Sequence, residues 1–186
     1  MDEKAKAVKE LKQALDKIKK CKNFTDLIPE VGTNIAYALK DAKDIEEVAA
    51  VPGRIRNAMG KPVFLNPKFG GSRHMACAVL SIMEFDKEKK CAMNIKYDEK
   101  VLNVCKKMGL TVSFYDRRDE PEELKGKEGE SLPWGIEQAV KKAGKVTDII
   151  YDLGDWGKEP VIKIIGKNPK EVVDIVVSLV QNFILH

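Results

Sequence analysis

Leu110-Thr111-Val112-Ser113-Phe114-Tyr115 is the clearest strand in the chain. β-branched and aromatic residues in an unbroken run suit a pleated, half-buried surface. Downstream, residues 133–142 read as a helix. Ser131 stands as its cap, and Pro133 sits in the first turn, where the missing N–H costs little. Asp148-Ile149-Ile150-Tyr151 and Val161-Ile162-Lys163-Ile164-Ile165 are two more strands. Asn168-Pro169-Lys170-Glu171 then opens a last helix, with Glu171 as a capping-box acid. Just upstream, Cys91-Ala92-Met93-Asn94-Ile95 is a buried-strand candidate. Asp98 caps a helix whose Val101, Leu102, Cys105 and Met108 share a face, and Gly109 ends it. Strands and helices alternate, so the class is α/β: a single domain with a mixed sheet flanked by helices.

The first half follows the same logic. Residues 2–20 form an amphipathic helix with Ala5, Val8, Leu11, Leu15 and Ile18 on one stripe. Residues 26–39 are a loop and then a short strand around Asn34-Ile35-Ala36-Tyr37. Val48-Ala49-Ala50-Val51 favours a strand ending at Pro52-Gly53. From Ser72 to about Glu84 a helix is apolar nearly all round, which places it centrally. The polar segment 116–130 is either a mobile lid or a plain loop.

Thirty-three Lys and Arg against 29 Asp and Glu leave a net charge of +4. That excess is too small, and too evenly spread, for a nucleic-acid stripe. No apolar run approaches the ~20 residues that span a bilayer, so no membrane partner is expected. Cys21, Cys77, Cys91 and Cys105 form no C-x-x-C pair and read as thiols packed like small hydrophobes. A reduced, cytoplasmic protein is expected.

The chemistry concentrates in Phe69-Gly70-Gly71-Ser72-Arg73-His74, directly before the apolar helix. Gly70 and Gly71 allow a tight turn and a close backbone approach. Ser72 caps the helix, whose first-turn N–H groups suit a phosphate. His74 is the one internal histidine, since His186 is the last residue. Further polar residues sit beside glycine or proline at Gly32-Thr33-Asn34, Gly53-Arg54-Ile55-Arg56, Asp116-Arg117-Arg118 and Gly154–Glu159. Cations with aspartates suit a pyrophosphate with its Mg²⁺. Each feature also has a plain alternative: a β-turn at Gly53-Arg54, a solvated loop at Asp116–Arg118, an Asp155–Lys158 pair, a structural His74. The spacing matches neither a P-loop nor a Rossmann fingerprint.

The wording of these segments goes further. Ile28-Pro29-Glu30-Val31-Gly32-Thr33-Asn34-Ile35-Ala36-Tyr37-Ala38, Val51-Pro52-Gly53-Arg54-Ile55 and Phe69-Gly70-x-Ser72-x-His74 resemble the ThiN-type thiamine-phosphate synthase domain. Ala92-Met93-Asn94-Ile95, Asp116-Arg117-Arg118-x-x-Pro121, Trp134-Gly135 and Asp152-x-Gly154-x-x-Gly157-Lys158-Glu159-Pro160 do so too, in the same order. The resemblance covers about residues 25–180, leaving 1–24 as an N-terminal amphipathic helix ahead of a domain at 25–186.

The resemblance implies an α/β fold that is not a TIM barrel. It implies condensation of hydroxymethylpyrimidine diphosphate with thiazole phosphate to thiamine phosphate and pyrophosphate. Arg54 and His74 are the matching catalytic residues. Asn34, Arg56, Gly70, Gly71, Ser72, Asn94, Arg117, Arg118 and Lys158 are expected around substrate and phosphate, and Asp116 and Asp155 at Mg²⁺. It further implies an archaeal setting and in some chains a fused phosphomethylpyrimidine kinase domain. A homodimer is expected on a separate ground, the apolar stripe of the first helix, which must pack on something. The alternative is a non-catalytic thiamine-phosphate sensor fused to a DNA-binding helix-turn-helix. Such sensors tend to lack the pair that Arg54 and His74 make, and the first 25 residues here hold only one helix.

Overall fold

The computed structural model describes residues 2–125, 127 and 129–184. Its helices are α1 (Glu3–Lys20), α2 (Arg73–Phe85), α3 (Glu99–Lys107), α4 (Ser131–Ala143) and α5 (Pro169–Ile184). Its strands are β1 (Ile35–Ala38), β2 (Val48–Ala50), β3 (Arg56–Ala58), β4 (Lys61–Val63), β5 (Lys68–Phe69), β6 (Cys91–Lys96), β7 (Val112–Tyr115), β8 (Ile149–Asp152) and β9 (Val161–Gly166). Seven strands form one open sheet in the order β5-β2-β1-β6-β9-β8-β7. Every neighbouring pair in it is antiparallel except β7 and β8. The sheet is mixed, and it does not close into a barrel.

Strand alternation splits the core in two. On one face Ile35, Ala49, Met93, Ile95, Ile149, Ile162 and Ile164 meet Leu11, Leu15 and Ile18 of α1, Val101 and Cys105 of α3, and Val173 and Val176 of α5. On the other, Ala36, Ala50, Ala92, Ile150 and Ile165 meet Met75, Val79 and Ile82 of α2 and Ile136 and Ala139 of α4. Three alanines opposite α2 let that helix lie close to the sheet, which is why a helix apolar nearly all round is central. Of the expected α1 stripe, Leu11, Leu15 and Ile18 are covered within the chain by α5 and the sheet, Val8 is half-buried and Ala5 is exposed, with Ala7 and Ala14 buried instead, so the stripe gives no separate argument for a dimer.

Caps explain most helix starts. Asp2, Ser72 and Asp98 each accept a backbone N–H from the first turn of α1, α2 and α3. Asn168 accepts from Glu171 N, while Glu171 reaches back to Lys167 N. α4 departs from expectation. Its cap position is Glu130, without a side-chain bond, and Ser131 is already helical. The Ser131 hydroxyl is turned instead to the Arg117 guanidinium, 3.1 Å away. The β3–β4 hairpin is a separate two-stranded sheet in a stretch for which the sequence suggested no element. Segment 116–130 includes a 3-10 turn at Arg117–Asp119; its Gly126 and Glu128 lie outside the described residues.

Candidate active site

Strand pairing brings the starts of β1 and β9 and the ends of β2, β6, β7 and β8 to one end of the sheet. A cavity of about 550 Å³ opens there. Its wall includes Asn34, Arg54, Ser72, His74, Asn94, Arg117 and Lys158, so seven of the expected residues converge from six different segments. The first turns of both α2 (Ser72–Met75) and α4 (Ser131, Leu132) also face it. Two helix N-termini thus add their positive ends to the side-chain cations. The volume falls in the range for small-molecule sites.

Arg54 follows Gly53 with φ of +70°, the left-handed region that a side chain rarely adopts. The strained turn aims its guanidinium at the carbonyl of Val31, to which it donates. Backbone strain held at a cavity wall is a mark of function. The facing loop is fixed by two amides. Asn34 bonds Val51 through both N–H and C=O, and Asn94 accepts from Asn34 N at 2.7 Å and donates to Gly32 O at 3.0 Å. Both amides therefore shape the wall through the backbone. Glu159 closes the loop from the other side, accepting from Glu30 N and Val31 N at 2.9 Å each.

His74 stands in the first turn of α2, on the cavity wall and exposed there. Partial enclosure, reinforced by the charges of Lys163, Arg117 and Arg54, lowers its pKa to about 4 despite the opposing Asp152. The free protein therefore carries a neutral imidazole at neutral pH. An ionisation near pH 6–7, natural for an unperturbed histidine, belongs only to a complex in which an anion offsets those cations.

Arg117 is buried, against the ordinary expectation for Asp-Arg-Arg in a loop. Its Nε donates to Asp152 at 3.0 Å. Lys158 lies 3.7 Å from Glu120, a fully buried carboxylate with no hydrogen-bond donor among the described residues. The Asp155–Lys158 pairing is one of backbone only, with bonds of 3.1 and 2.8 Å.

The other expected residues stand away from the cavity wall. Arg56 donates to Glu30 O and packs beneath Gly32. Gly70 has φ of +66° beside the Glu46 carboxylate, and a Cβ on Gly71 would sit 2.2 Å from Ala50 O. The close approach these glycines permit is to the protein itself. Arg118 is paired with Asp116, whose pKa that contact holds at about 2. Asp155 is exposed and accepts from Trp156 N. No group of three His, Cys, Asp or Glu side chains able to hold a metal occurs among the described residues. Neither Asp116 nor Asp155 is on the wall of this cavity.

Sequence reasoning missed Asp152, Lys163 and Tyr115 as site residues. One signal was present: Lys163 interrupts an apolar strand at its centre. All four cysteines are free, as expected; Cys91 and Cys105 are buried, and Cys77 borders the cavity.

The family described as Thiamine-phosphate synthase ThiN matches residues 10–178. The chain is 37% identical to "Thiamine-phosphate synthase ThiN" of Methanothermobacter thermautotrophicus, over 95% of this chain and 93% of that one. It is 43% identical to "Bifunctional thiamine biosynthesis protein ThiDN" of Methanocaldococcus jannaschii, over 91% of this chain but 39% of that protein. The crystal structure of a C-terminal domain of phosphomethylpyrimidine kinase superposes with a TM-score of 0.89 at 43% identity, covering 95% of this chain and all of that one. The chain belongs to the ThiN thiamine-phosphate synthase family.

Proposed function

We propose that this protein joins hydroxymethylpyrimidine diphosphate to thiazole phosphate, releasing pyrophosphate and thiamine phosphate. One observation carries the reading beyond family membership: Arg54 and His74, the residues the resemblance marks as catalytic, line one cavity with Arg117, Lys158 and two helix N-termini. In this reaction the methylene carbon–oxygen bond breaks, and pyrophosphate leaves with the electron pair. The thiazole nitrogen lone pair then forms the new carbon–nitrogen bond. Charge develops on the departing oxygens, and fixed donors and cations aimed there lower the barrier. Arg54, Arg117 and Lys158 suit that role. Neutral His74 donates a hydrogen bond, and binding of the diphosphate raises its proton affinity. Net proton transfer is not required, so His74 acts chiefly on the leaving group. The cavity walls hold the two rings in line.

Magnesium enters this proposal only as a companion of the diphosphate, because it commonly keeps waters and phosphate oxygens as ligands. A cytoplasmic homodimer in an archaeal cell also remains a proposal. Exposed Met59, Val63 and Leu65 around the β3–β4 hairpin support a contact surface, which sedimentation would check. The likeness to bifunctional ThiDN supports a fused kinase domain as a further proposal. The test is direct: purified protein with both substrates and Mg²⁺ should form thiamine phosphate. Tight binding of thiamine phosphate without turnover, where a control synthase works, would make it a ligand-binding module.

A further inference from the structure

Asp152, at the end of β8, is wholly buried and saturated with donors. Arg117 Nε and Gly154 N reach Oδ1 at 3.0 Å each, while Lys163 Nζ at 3.1 Å and Tyr115 OH at 3.2 Å reach Oδ2. An ionised carboxylate has about four acceptor sites, so nothing further can bind there. Lys163 and Asp152 have no side-chain exposure. Register explains the meeting. Tyr115 stands opposite Asp152 across the parallel pair, and Lys163 stands opposite Ile150, diagonal to Asp152 on the same face. Gly135 completes the packing, because a Cβ there would sit 2.3 Å from the Tyr115 ring.

Two cations, Arg117 and Lys163, share this one carboxylate, while the buried Glu120, whose charge also reaches Arg117, pairs with Lys158 at 3.7 Å. The Arg117 guanidinium has five N–H groups. One goes to Asp152, one to Ser131 Oγ at 3.1 Å and one to Tyr115 OH at 3.5 Å. The remaining two are available to the cavity that Arg117 lines. A buried ionic cluster of this kind is seldom better for stability than apolar packing, so another role is needed to account for it.

We propose that Lys163 is a positioning residue: through Asp152 and Tyr115 it fixes Arg117 as a phosphate clamp at the cavity floor, and its own charge supplies the attraction for the anion. The identity of that anion as a diphosphate rests on the thiamine-phosphate synthase reading. The anchor itself is a property of the folded chain. Lys163 never touches the ligand, since it has no exposed surface and is absent from the cavity wall.

Two readouts test the anchor: pyrophosphate affinity by calorimetry, and the His74 titration by NMR with His74→Gln assigning the signal. His74 faces Lys163 from β9, Arg117 from the segment after β7, Arg54 from the turn after β2 and Asp152 from β8. Lys158, Glu159 and Lys127 lie on the same cavity wall, and Arg73 precedes it on α2. Lys163→Met should weaken pyrophosphate binding at least roughly tenfold, the scale of one partly screened charge, because it removes the charge and the anchor on Asp152 together. It should also move the His74 titration upward by about one unit. Lys163→Gln keeps a donor to Asp152 without the charge, so it should move His74 as far but weaken binding less.

Wild-type affinity with an unmoved His74 in either folded variant overturns the anchor. If both variants fail to fold, Lys163 is a structural lysine and the proposal falls. If both readouts respond as expected but wild-type protein makes no thiamine phosphate, the catalytic reading fails and the anchor stands.

Discussion

The two faces of the sheet handle charge in opposite ways. Toward the α1/α5 side, Lys17 and Asp174 meet at 2.5 Å with half and a third of their side chains in solvent. Toward the α2/α4 side, Lys163 and Asp152 meet at 3.1 Å with none exposed. Distance alone would rank the first pair higher. Solvent reverses the ranking: an exposed pair is screened and costs side-chain entropy, while a buried one is strong and also intolerant of losing a partner. The α1/α5 face is held by apolar burial, with Leu11, Ile18 and Val176 fully covered. Buried ionised groups cluster beside the cavity, as they do where a site tunes its own titrations.

The largest effect should follow Asp152→Asn, which leaves Lys163 and Arg117 buried without a carboxylate. Loss of about 3–5 kcal/mol in urea unfolding is expected. A loss below 1 kcal/mol would show that the buried cluster is no stronger than the surface pair. The pH dependence agrees in sign. Burial would raise the Asp152 pKa, but Lys163 and Arg117 override it and hold it below the ordinary value. Its contribution is therefore present above the unfolded carboxylate pKa and is lost as pH falls through the folded one.

Arg54 comes next. Arg54→Ala should lower turnover by at least ~10²-fold, the scale of one lost electrostatic stabiliser. Arg54→Lys should recover only part, because the bidentate fork is gone. Arg54→Gly frees the φ of +70° while removing the side chain, so it should be as inactive as alanine but more stable. Near-normal turnover in Arg54→Ala together with its loss in Arg56→Ala would reassign the role.

A smaller effect concerns His74. With a pKa of about 4 in the free protein against ~6.5 when unfolded, its neutral form contributes stability that is complete above pH 6.5. That contribution is lost as pH falls from there toward 4. The kcat/KM profile should show the His74 ionisation near pH 4, and the kcat profile, reporting the complex, should show it higher. Identical ionisations in both profiles would mean that the bound anion does not reach the imidazole. Smallest of all, Lys17→Ala should change stability by less than about 1 kcal/mol; a larger loss would mean the exposed pair was underrated.

The contrast also marks what could be read from the chain. α2 was legible because Ser72 caps it and apolar residues crowd its length, and α3 because Asp98 and Gly109 bracket it. Strand β9 was legible as an apolar run. The β3–β4 hairpin was not, since Arg56-Asn57-Ala58 is exposed and carries no alternation. Ser131 was misread as a cap because its hydroxyl partner, Arg117, is remote in sequence. Arg54 and His74 could be chosen from motif wording. Asp152, Tyr115 and Lys163 could not be assembled, because only register across β7, β8 and β9 brings them together. Gly70 and Gly71 were legible as a tight turn, but what they approach, Ala50 and Glu46, required the fold.

The most direct test of the central claim follows product formation in wild-type, Arg54→Ala and His74→Ala protein, each checked for folding in the same preparation. With hydroxymethylpyrimidine diphosphate, thiazole phosphate and Mg²⁺, the wild-type should release thiamine phosphate and pyrophosphate in equal amounts, and both folded variants should be far slower. Wild-type protein that binds thiamine phosphate yet forms neither product, beside an active control synthase, would contradict the account.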